Sequence, residues 1–595
     1  MKKRFLFLIL IMFFISISLV SAQEIDNDFI IEQNNETGSF SELQINIDSI
    51  EDSGNLNLSK DYKADSLKRM VITKSINIDG NDHVLNGLNQ SAIFRVFDSD
   101  VVLRNINFIN GFSEDYTFGI DLNNANVKII NCTFSYNLGA ISLMDSNLTI
   151  SKSTFSFNEP MGMYTCGGAI YAVDSILYVD ESVFYNNSAS AGGAICCFNT
   201  NSTIINSDFY NNNVTFYGGA IFSDSPLTIT DSRLYKNNAG YKGGAVHTTS
   251  SYKNEDSSLY IDNCDLFNNV AEYGGVVSSS NINFVIINNS RIHDNSALIG
   301  AVVLIFSRNT VKIINSLCYN NVATNGSIVY SLAGGNIYFL DSDFKNNAAE
   351  FGALSYSLFG RVGKEFVNFN LSVINSNLTD NICSKGLIYS ILGNVIVYNS
   401  SITYKNQSYD TPVIYKVVEG NVTQKDNWWG VENPDLDKLI VFDFDLFSSN
   451  ISEDVNQSDD CASSVIQIDD ENFVFTFRRD SSYQLCVDIV HQDEGILQYK
   501  CDSSYFIHSF IGDNGWVFGS GGLDSPFASE MAEAFAKIMS RNNMIIDELM
   551  LILFDIKLYE RVGHFFVKSP NGTYALLSLN SNSEMYIGTV KNVTG

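Results

Sequence analysis

Apolar and polar residues alternate in short runs along most of this chain. Runs such as SILYVDES (175–182), STIINSDF (202–209) and LTITDSRL (227–234) place most of their Val, Ile, Leu, Phe and Tyr residues at every second position. Successive side chains of a β-strand point to opposite faces, so this pattern predicts strands with one buried face. Helical repeats would instead place apolar residues at positions i, i+3 and i+4, which these runs do not do.

These runs belong to a repeat that is marked by a glycine pair or its equivalent. The second glycine of the pair, or its counterpart, falls at Gly139, Gly168, Gly193, Gly219, Gly244, Gly275, Gly300, Gly326, Gly352 and Gly386. A fixed period of roughly 25–35 residues indicates a solenoid in which each copy is one coil. We therefore predict an all-β parallel β-helix, and the chirality of parallel crossovers predicts that it is right-handed.

A second marker of the repeat is an asparagine three positions after a large apolar residue. It occurs at Asn137, Asn158, Asn187, Asn212, Asn237, Asn269, Asn295, Asn321, Asn347 and Asn381. Asparagine tolerates a left-handed backbone at a turn, and identical amides can hydrogen-bond along a stack of strands. We predict a structural ladder of these side chains, with small residues such as Ala189 and Ala239 packed in the following turn.

The two ends of the chain differ from the repeat. Lys2, Lys3 and Arg4 precede an apolar run that ends in Val-Ser-Ala, which is typical of a signal peptide, although an uncleaved anchor is the alternative. A boundary is expected near DNWWGVENP, where two tryptophans would cover the last coil and Pro434 would stop strand pairing. The predicted segments are a signal peptide at 1–22, an N-terminal cap region at 23–70, the β-helix at 71–434, a linker at 435–460 and a smaller α+β domain at 461–595.

Charge and cysteine content restrict the classes of partner. The net charge of −30 disfavours binding to nucleic acid or to anionic lipid. No second apolar run is long enough to span a bilayer once the signal peptide is removed. The ten cysteines include no C-x-x-C pair, so zinc ribbons and thioredoxin chemistry are unsupported. We expect no cofactor and assign no residues to a metal site.

The coils resemble those of a known class of surface protein. GGAI…F..N.A, INIDGNDHVLNG and DNWWG resemble motifs of the adhesin-like β-helix proteins of methanogenic archaea, and they are similar to polymorphic outer-membrane and pectate-lyase-like repeats. The resemblance covers about residues 40–434. It implies surface display and adhesion to extracellular glycans, proteins or cells.

Two sets of coil residues are candidate sites. Asp208, Asp265 and Asp343 precede the large apolar residue of one strand and could form an acidic ridge that holds cations or sugar, or an ordinary solvated face. Tyr185 and Tyr210, together with Tyr235, follow that apolar residue in three successive coils. They could form a strip on which sugars stack, or they could pack between coils.

The C-terminal region resembles N-terminal-nucleophile amidases of the choloylglycine-hydrolase and penicillin-acyltransferase group. The matching positions are Cys461, Arg478 and Asp480, and FRRD stands where the family has RN.D. The resemblance implies cleavage before Cys461, whose freed α-amino group would activate its thiol while Arg478 orients it. A rival arrangement in the same region pairs Cys486 or Cys501 with His564.

Two functions therefore stay open at the level of sequence. The first is a secreted or cell-surface binding protein whose β-helix contacts glycans, cells or matrix. The alternative is a secreted cysteine amidase carried on a β-helix stalk.

Overall fold

The computed structural model describes residues 37–442 except for 67, 113–117, 163–164, 251–256, 307–308, 332–334, 358–359, 363–364, 368, 391–392, 404–411 and 417–420, and it also describes nine strands between 461 and 590. The predicted signal peptide and residues 443–460 of the predicted linker lie outside the described residues.

Three parallel sheets of 15 strands each form a β-solenoid. Sheet 1 comprises Gly38–Ser39, Tyr62–Lys63, Val84–Asn86, Asn107–Ile109, Thr133–Ser135, Thr154–Ser156, Val183–Tyr185, Asp208–Tyr210, Arg233–Tyr235, Asp265–Phe267, Arg291–His293, Leu317–Tyr319, Asp343–Lys345, Asn377–Thr379 and Ser401–Thr403. Sheet 2 comprises Gly54–Asn57, Ile76–Asp79, Asp100–Arg104, Asn126–Ile130, Asn147–Ser151, Ile176–Asp180, Asn201–Ile205, Leu227–Thr230, Leu259–Asp262, Phe284–Asn288, Thr310–Ile314, Gly335–Leu340, Phe369–Ile374, Gly393–Tyr398 and Val422–Lys425. Sheet 3 comprises Met70–Ile72, Phe94–Phe97, Ile120–Asn123, Ile141–Met144, Ile170–Val173, Ile195–Phe198, Ile221–Ser223, Val246–Thr249, Val277–Ser280, Val303–Ile305, Val329–Ser331, Ser355–Ser357, Ile388–Ser390, Ile414–Lys416 and Ile440–Phe442.

A fourth, shorter parallel sheet closes the middle coils. Sheet 4 comprises Ser188–Ala191, Asn213–Tyr217, Asn238–Lys242, Val270–Tyr273 and Ser296–Ile299. A coil in this region passes from sheet 3 to sheet 2, then to sheet 1 and sheet 4, and it returns to sheet 3 one level further along. Each copy of the repeat is thus one coil, and the predicted parallel β-helix is confirmed.

Alternation along the strands fills the interior with apolar side chains. The central residues of five successive sheet 1 strands stack their rings at centroid distances of 4.6 Å; they are Phe108, Phe134, Phe155, Phe184 and Phe209. Each of these rings is fully buried, which contributes roughly 2–3 kcal/mol per side chain. A single coil has nothing to bury these rings against, so the coils stabilise one another.

The two glycines of each pair have different roles. Gly192 has a φ of 56°, a left-handed backbone that turns the chain into sheet 3. A Cβ on Gly193 would lie 2.3 Å from the carbonyl oxygen of Gly219 on the next coil. In coils with one glycine, such as that of Gly300 (φ 63°), the glycine takes the place of the first member of the pair. The expectation that Gly300 is equivalent to the second member of the pair is therefore wrong.

The solenoid extends beyond both of its predicted boundaries. Its sheets begin at Gly38, inside the expected cap region, and helix α1 (Phe40–Ser49) buries Phe40, Leu43 and Ile47 against the first coils. At the other end Pro434 does not stop pairing. It precedes the four-residue helix α2 (Leu436–Leu439), after which Ile440–Phe442 pairs with sheet 3.

The two tryptophans near the distal end have different environments. Trp429 is buried in the core, whereas Trp428 is 46% exposed and pairs through its backbone with sheet 1. The sequence predicts that both tryptophans cover the last layer. Only Trp429 does so.

Antiparallel pairing distinguishes the remaining strands from the coils. Gly360–Val362 and Glu365–Val367 form a hairpin. A four-stranded antiparallel sheet comprises Cys461–Ile468, Glu471–Arg479, Leu485–His491 and Gly495–Lys500. A five-stranded antiparallel sheet comprises His508–Ile511, Val517–Ser520, His564–Lys568, Tyr574–Leu579 and Met585–Val590. The sequence also predicts a helical stretch at about 525–558, and these residues lie outside the described part of the chain.

Candidate functional site

The asparagines of the repeat are buried and hydrogen-bonded in a continuous file. Each side-chain nitrogen donates to the amide oxygen of the asparagine on the next coil, at 2.9–3.1 Å along Asn187, Asn212, Asn237, Asn269, Asn295, Asn321, Asn347 and Asn381. The same nitrogen donates to a backbone carbonyl, as Asn212 does to Phe184 at 3.0 Å. The amide oxygen of Asn212 also accepts the backbone N–H of Asn187 at 3.1 Å. These amides hold the coils together and are not a ligand site.

The left-handed position of this turn lies one residue before each asparagine of the ladder. Asn211 (φ 55°) and Lys236 (φ 54°) precede Asn212 and Asn237, which do not have a positive φ. The ladder asparagines are therefore retained for their amide bonds, and the residue before them supplies the turn.

The outer face of sheet 1 carries a row of stacked rings, which we call the outer strip: Tyr185, Tyr210, Tyr235, Phe267, His293 and Tyr319. Ring centroids of successive members lie 5.1, 5.0, 4.7, 5.0 and 4.5 Å apart, and the planes are within 13° of parallel. Phe157 meets Tyr185 edge-on at 5.7 Å, and Tyr136, which is 60% exposed, stacks on Phe157. The strip arises because the third residue of each three-residue strand points outward and the strands pair in register.

A column of alternating charge runs beside the outer strip on the same strands. Arg233 donates to both carboxylate oxygens of Asp208, with Nε at 2.7 Å, and Arg291 donates to Asp265. These hydrogen bonds raise the pKa of both guanidinium groups. The predicted acidic ridge is therefore neutralised on these coils, and Asp343 accepts a hydrogen bond from Asn377 at 2.7 Å.

The stacking restricts how a ligand can use the outer strip. Each inner ring has another ring against both of its faces, so a sugar cannot stack on those faces. The ring edges and the phenolic hydroxyls remain available along the solvent side. Partial burial, with nearby charges, raises the pKa of Tyr210 and Tyr235, so these hydroxyls stay protonated at neutral pH. The two alternatives for these tyrosines, packing between coils and forming a surface strip, are therefore compatible, because the rings stack from coil to coil and also line the surface.

His293 lies between two carboxylates on this face. Its Nε2 is 3.1 Å from Asp265 and its Nδ1 is 2.7 Å from Asp294, so both ring nitrogens have a partner within the protein. Among the described residues no group of three or more His, Cys, Asp or Glu side chains is placed to hold a metal ion. No helix in the described part of the chain is both long and apolar enough to cross a membrane.

The predicted catalytic residues fall on the C-terminal strands or beside them. Cys461 and Arg478 are register partners in the first antiparallel hairpin, and Arg478 pairs in turn with Cys486. His564 belongs to the other antiparallel sheet. Asp480 and Cys501 lie outside the described residues. The backbone therefore brings together two of the three amidase positions.

Two polar features of the solenoid were not predicted. Cys166 and Cys196 form a disulfide, and Arg69 forms an ion pair with Asp121 on the outer face of sheet 3. Both pairs join residues that are far apart in sequence. The repeat period places Asp121 in register with Arg95. This opposite-charge register pair is the feature of the sequence that could have indicated a polar cluster here.

Comparison with known proteins yields distant structural likenesses. No family model matches the chain, and no curated protein matches it. A PL6 alginate lyase in complex with a trisaccharide has 10% identity and a TM-score of 0.30 over 79% of this chain and 94% of its own. The surface adhesin PfbA of Streptococcus pneumoniae has 12% identity and a TM-score of 0.26 over 74% and 91%. Tailspike protein 2 of an Escherichia coli O157:H7 bacteriophage has 10% identity and a TM-score of 0.21 over 93% and 66%. Likenesses this weak carry no functional argument, so the fold is taken from the strand pairing itself.

Proposed function

We propose that this protein is a secreted or cell-surface binding protein whose outer strip contacts extracellular glycans. The observation that carries the proposal is the uninterrupted row of six stacked rings over six coils, with its edges open to solvent. Export, which the N-terminal segment predicts, would place this face where such polymers occur.

The outer strip suits an extended polar polymer. Its hydroxyls, on Tyr185, Tyr210, Tyr235 and Tyr319, both donate and accept hydrogen bonds. The rings are held by their neighbours, so little side-chain entropy is lost when a ligand binds. A regular rise from coil to coil repeats the same contact along the polymer, and many weak contacts then add up to useful avidity.

The alternating charges contribute to selectivity. Asp208 and Arg233 satisfy each other, as do Asp265 and Arg291, so the column attracts neither anions nor cations strongly. Rim charges of this kind mainly affect the rate and specificity of association. A neutral, hydroxyl-rich polysaccharide is the ligand class that best fits the outer strip.

The test is binding of the full chain to a glycan array, with a hydroxyl-deleted variant for comparison. The triple variant Tyr185→Phe, Tyr210→Phe, Tyr235→Phe keeps every ring stack and removes three hydroxyls. A matched control, Tyr178→Phe, Tyr260→Phe, Tyr338→Phe, makes the same change on sheet 2, where these residues lie. We expect at least a tenfold loss of affinity for the sheet 1 variant alone. Equal binding by all three proteins would refute a role for the outer strip.

A second candidate function concerns the C-terminal region, and the pairing of Cys461 with Arg478 favours it. An amidase of the N-terminal-nucleophile type would be processed before Cys461, and the new α-amino group would serve as the base for the thiol. Intact-mass spectrometry of the secreted protein is the test. A fragment that begins at Cys461 supports this activity, and a Cys461→Ala variant should abolish the fragment. A wild-type chain that stays intact would exclude autoprocessing.

A further inference from the structure

The outer face of sheet 3 carries a second polar cluster near the N-terminal end of the solenoid. Arg95 and Asp121 are register partners on adjacent coils, and Ser142 follows Asp121 on the next coil. The guanidinium of Arg69 reaches Asp121 from two coils away. The cluster combines two cationic groups with one carboxylate, in a protein whose net charge is −30.

Each oxygen of the Asp121 carboxylate accepts a hydrogen bond within this cluster. Arg69 donates to one of its oxygens, and the hydroxyl of Ser142 donates to the other at 2.9 Å. Asp121 is only 4% exposed, so its charge needs these partners. Arg69 is paired directly with this carboxylate, whereas Arg95 interacts with it only at longer range, without a hydrogen bond.

Arg95 is held in place but lacks an acceptor. Its guanidinium carbon lies 4.8 Å from the centroid of the Phe97 ring, a cation–π contact that leaves the N–H groups free to donate. Its Nε is buried and has no hydrogen-bond partner, and no ion pair to Arg95 occurs within the described part of the chain. A buried donor left unsatisfied costs about 1–3 kcal/mol, so Arg95 is not placed here for stability, and the terminal nitrogens of this partly exposed side chain are the ones that a ligand could reach.

We propose that Arg95 binds the oxyanion of an acidic saccharide, a carboxylate or a sulfate ester, on the outer face of sheet 3. A guanidinium donates two parallel hydrogen bonds to such a group. Tyr171 follows Ser142 in register on the next coil, and its partly exposed ring, which stacks on the buried ring of Phe118 at 5.8 Å, offers apolar contact to the sugar ring. This site is independent of the outer strip, which lies on sheet 1 and fits neutral polymers.

Calorimetry of the full chain with three probes tests the proposal. The probes are an oligogalacturonate, its fully methyl-esterified form and inorganic sulfate, so that charge and saccharide are varied separately. We expect the acidic oligomer to bind at least tenfold more tightly than the ester and than sulfate alone. Arg95→Met should abolish that preference, whereas Arg104→Met, an exposed arginine on sheet 2, should preserve it.

A stability measurement separates a ligand site from a structural arginine. If Arg95 is retained for binding, Arg95→Met removes an unsatisfied donor, and its melting temperature should equal or exceed that of the wild type. Equal affinity for the acid and the ester, unchanged binding by Arg95→Met, or a marked loss of stability in that variant would each overturn the proposal. The triple Tyr→Phe variant of the outer strip should still bind the acidic oligomer through Arg95. The experiments can therefore refute either proposal without refuting the other.

Discussion

The side-chain nitrogen of Asn237 donates to the amide oxygen of Asn269 at 3.1 Å, although 32 residues separate them in the chain. Asn212 and Asn237 make the same bond at 3.0 Å across 25 residues. Extra residues in a coil therefore leave the ladder spacing unchanged. The stacked amides fix the register of the coils, and this register in turn places the rings of the outer strip one above another.

Removal of one ladder amide should destabilise the solenoid strongly. Asn237→Ala removes the acceptor of the Asn212 backbone N–H, one of the two acceptors of the Asn212 side-chain nitrogen, and a donor to the carbonyl of Phe209, all of them buried. We expect a loss of about 3 kcal/mol in the free energy of unfolding, measured by denaturant titration of the full chain. The adjacent Asn238, whose exposed amide bonds to Asn213, provides the control. Asn238→Ala should cost under about 0.5 kcal/mol, and equal losses in the two variants would contradict a buried ladder.

A methyl group at the second glycine of a pair should not be tolerated. A Cβ on Gly219 would lie 2.0 Å from the carbonyl oxygen of Gly244, a backbone atom that cannot move without separating two coils. Gly219→Ala should therefore cost about 3 kcal/mol or more. A Cβ on Gly119 would lie 3.2 Å from its nearest neighbour, so Gly119→Ala should be much milder. Thermal unfolding of both variants checks this, and the reverse order would be inconsistent with the coil spacing.

His247 should make the protein less stable in mild acid. Burial lowers its pKa to about 3, with a smaller contribution from Lys242, while the unfolded value is near 6.5. As the pH falls below 6.5 the unfolded chain takes up a proton that the folded chain does not, so stability decreases until the pH reaches about 3. This one group should account for a loss of about 2 kcal/mol between pH 7 and pH 5.

Variants at His247 and at its register partner Ser278 isolate the contribution of His247 to the pH dependence of stability. His247→Phe extends the neighbouring aromatic contact with Phe222 and removes the titrating group, so the loss between pH 7 and pH 5 should shrink by that amount. Ser278→Ala, on the next coil, removes no titrating group and should keep the wild-type pH dependence. A His247→Phe curve that parallels the wild type would refute the assignment.

The repeat made the solenoid predictable from the sequence, whereas the side-chain contacts on the surface of the solenoid were harder to predict. Asn212 and Gly193 recur at fixed offsets, so the period alone locates the ladder and the close backbone contact. The Arg69–Asp121 pair and the Cys166–Cys196 disulfide occur once each, so no recurring marker of the repeat points to these pairings. The sequence placed Tyr210 on an outward face but could not show that its neighbours cover both faces of its ring.

Hydroxyl-radical footprinting of the full chain, with and without the glycan selected by the array, tests the binding role of the outer strip most directly. Binding should reduce oxidation of Tyr185, Tyr210 and Tyr235 while Tyr178 and Tyr260 on sheet 2 react as before. Protection of the sheet 2 tyrosines, with no change at the outer strip, would contradict the account.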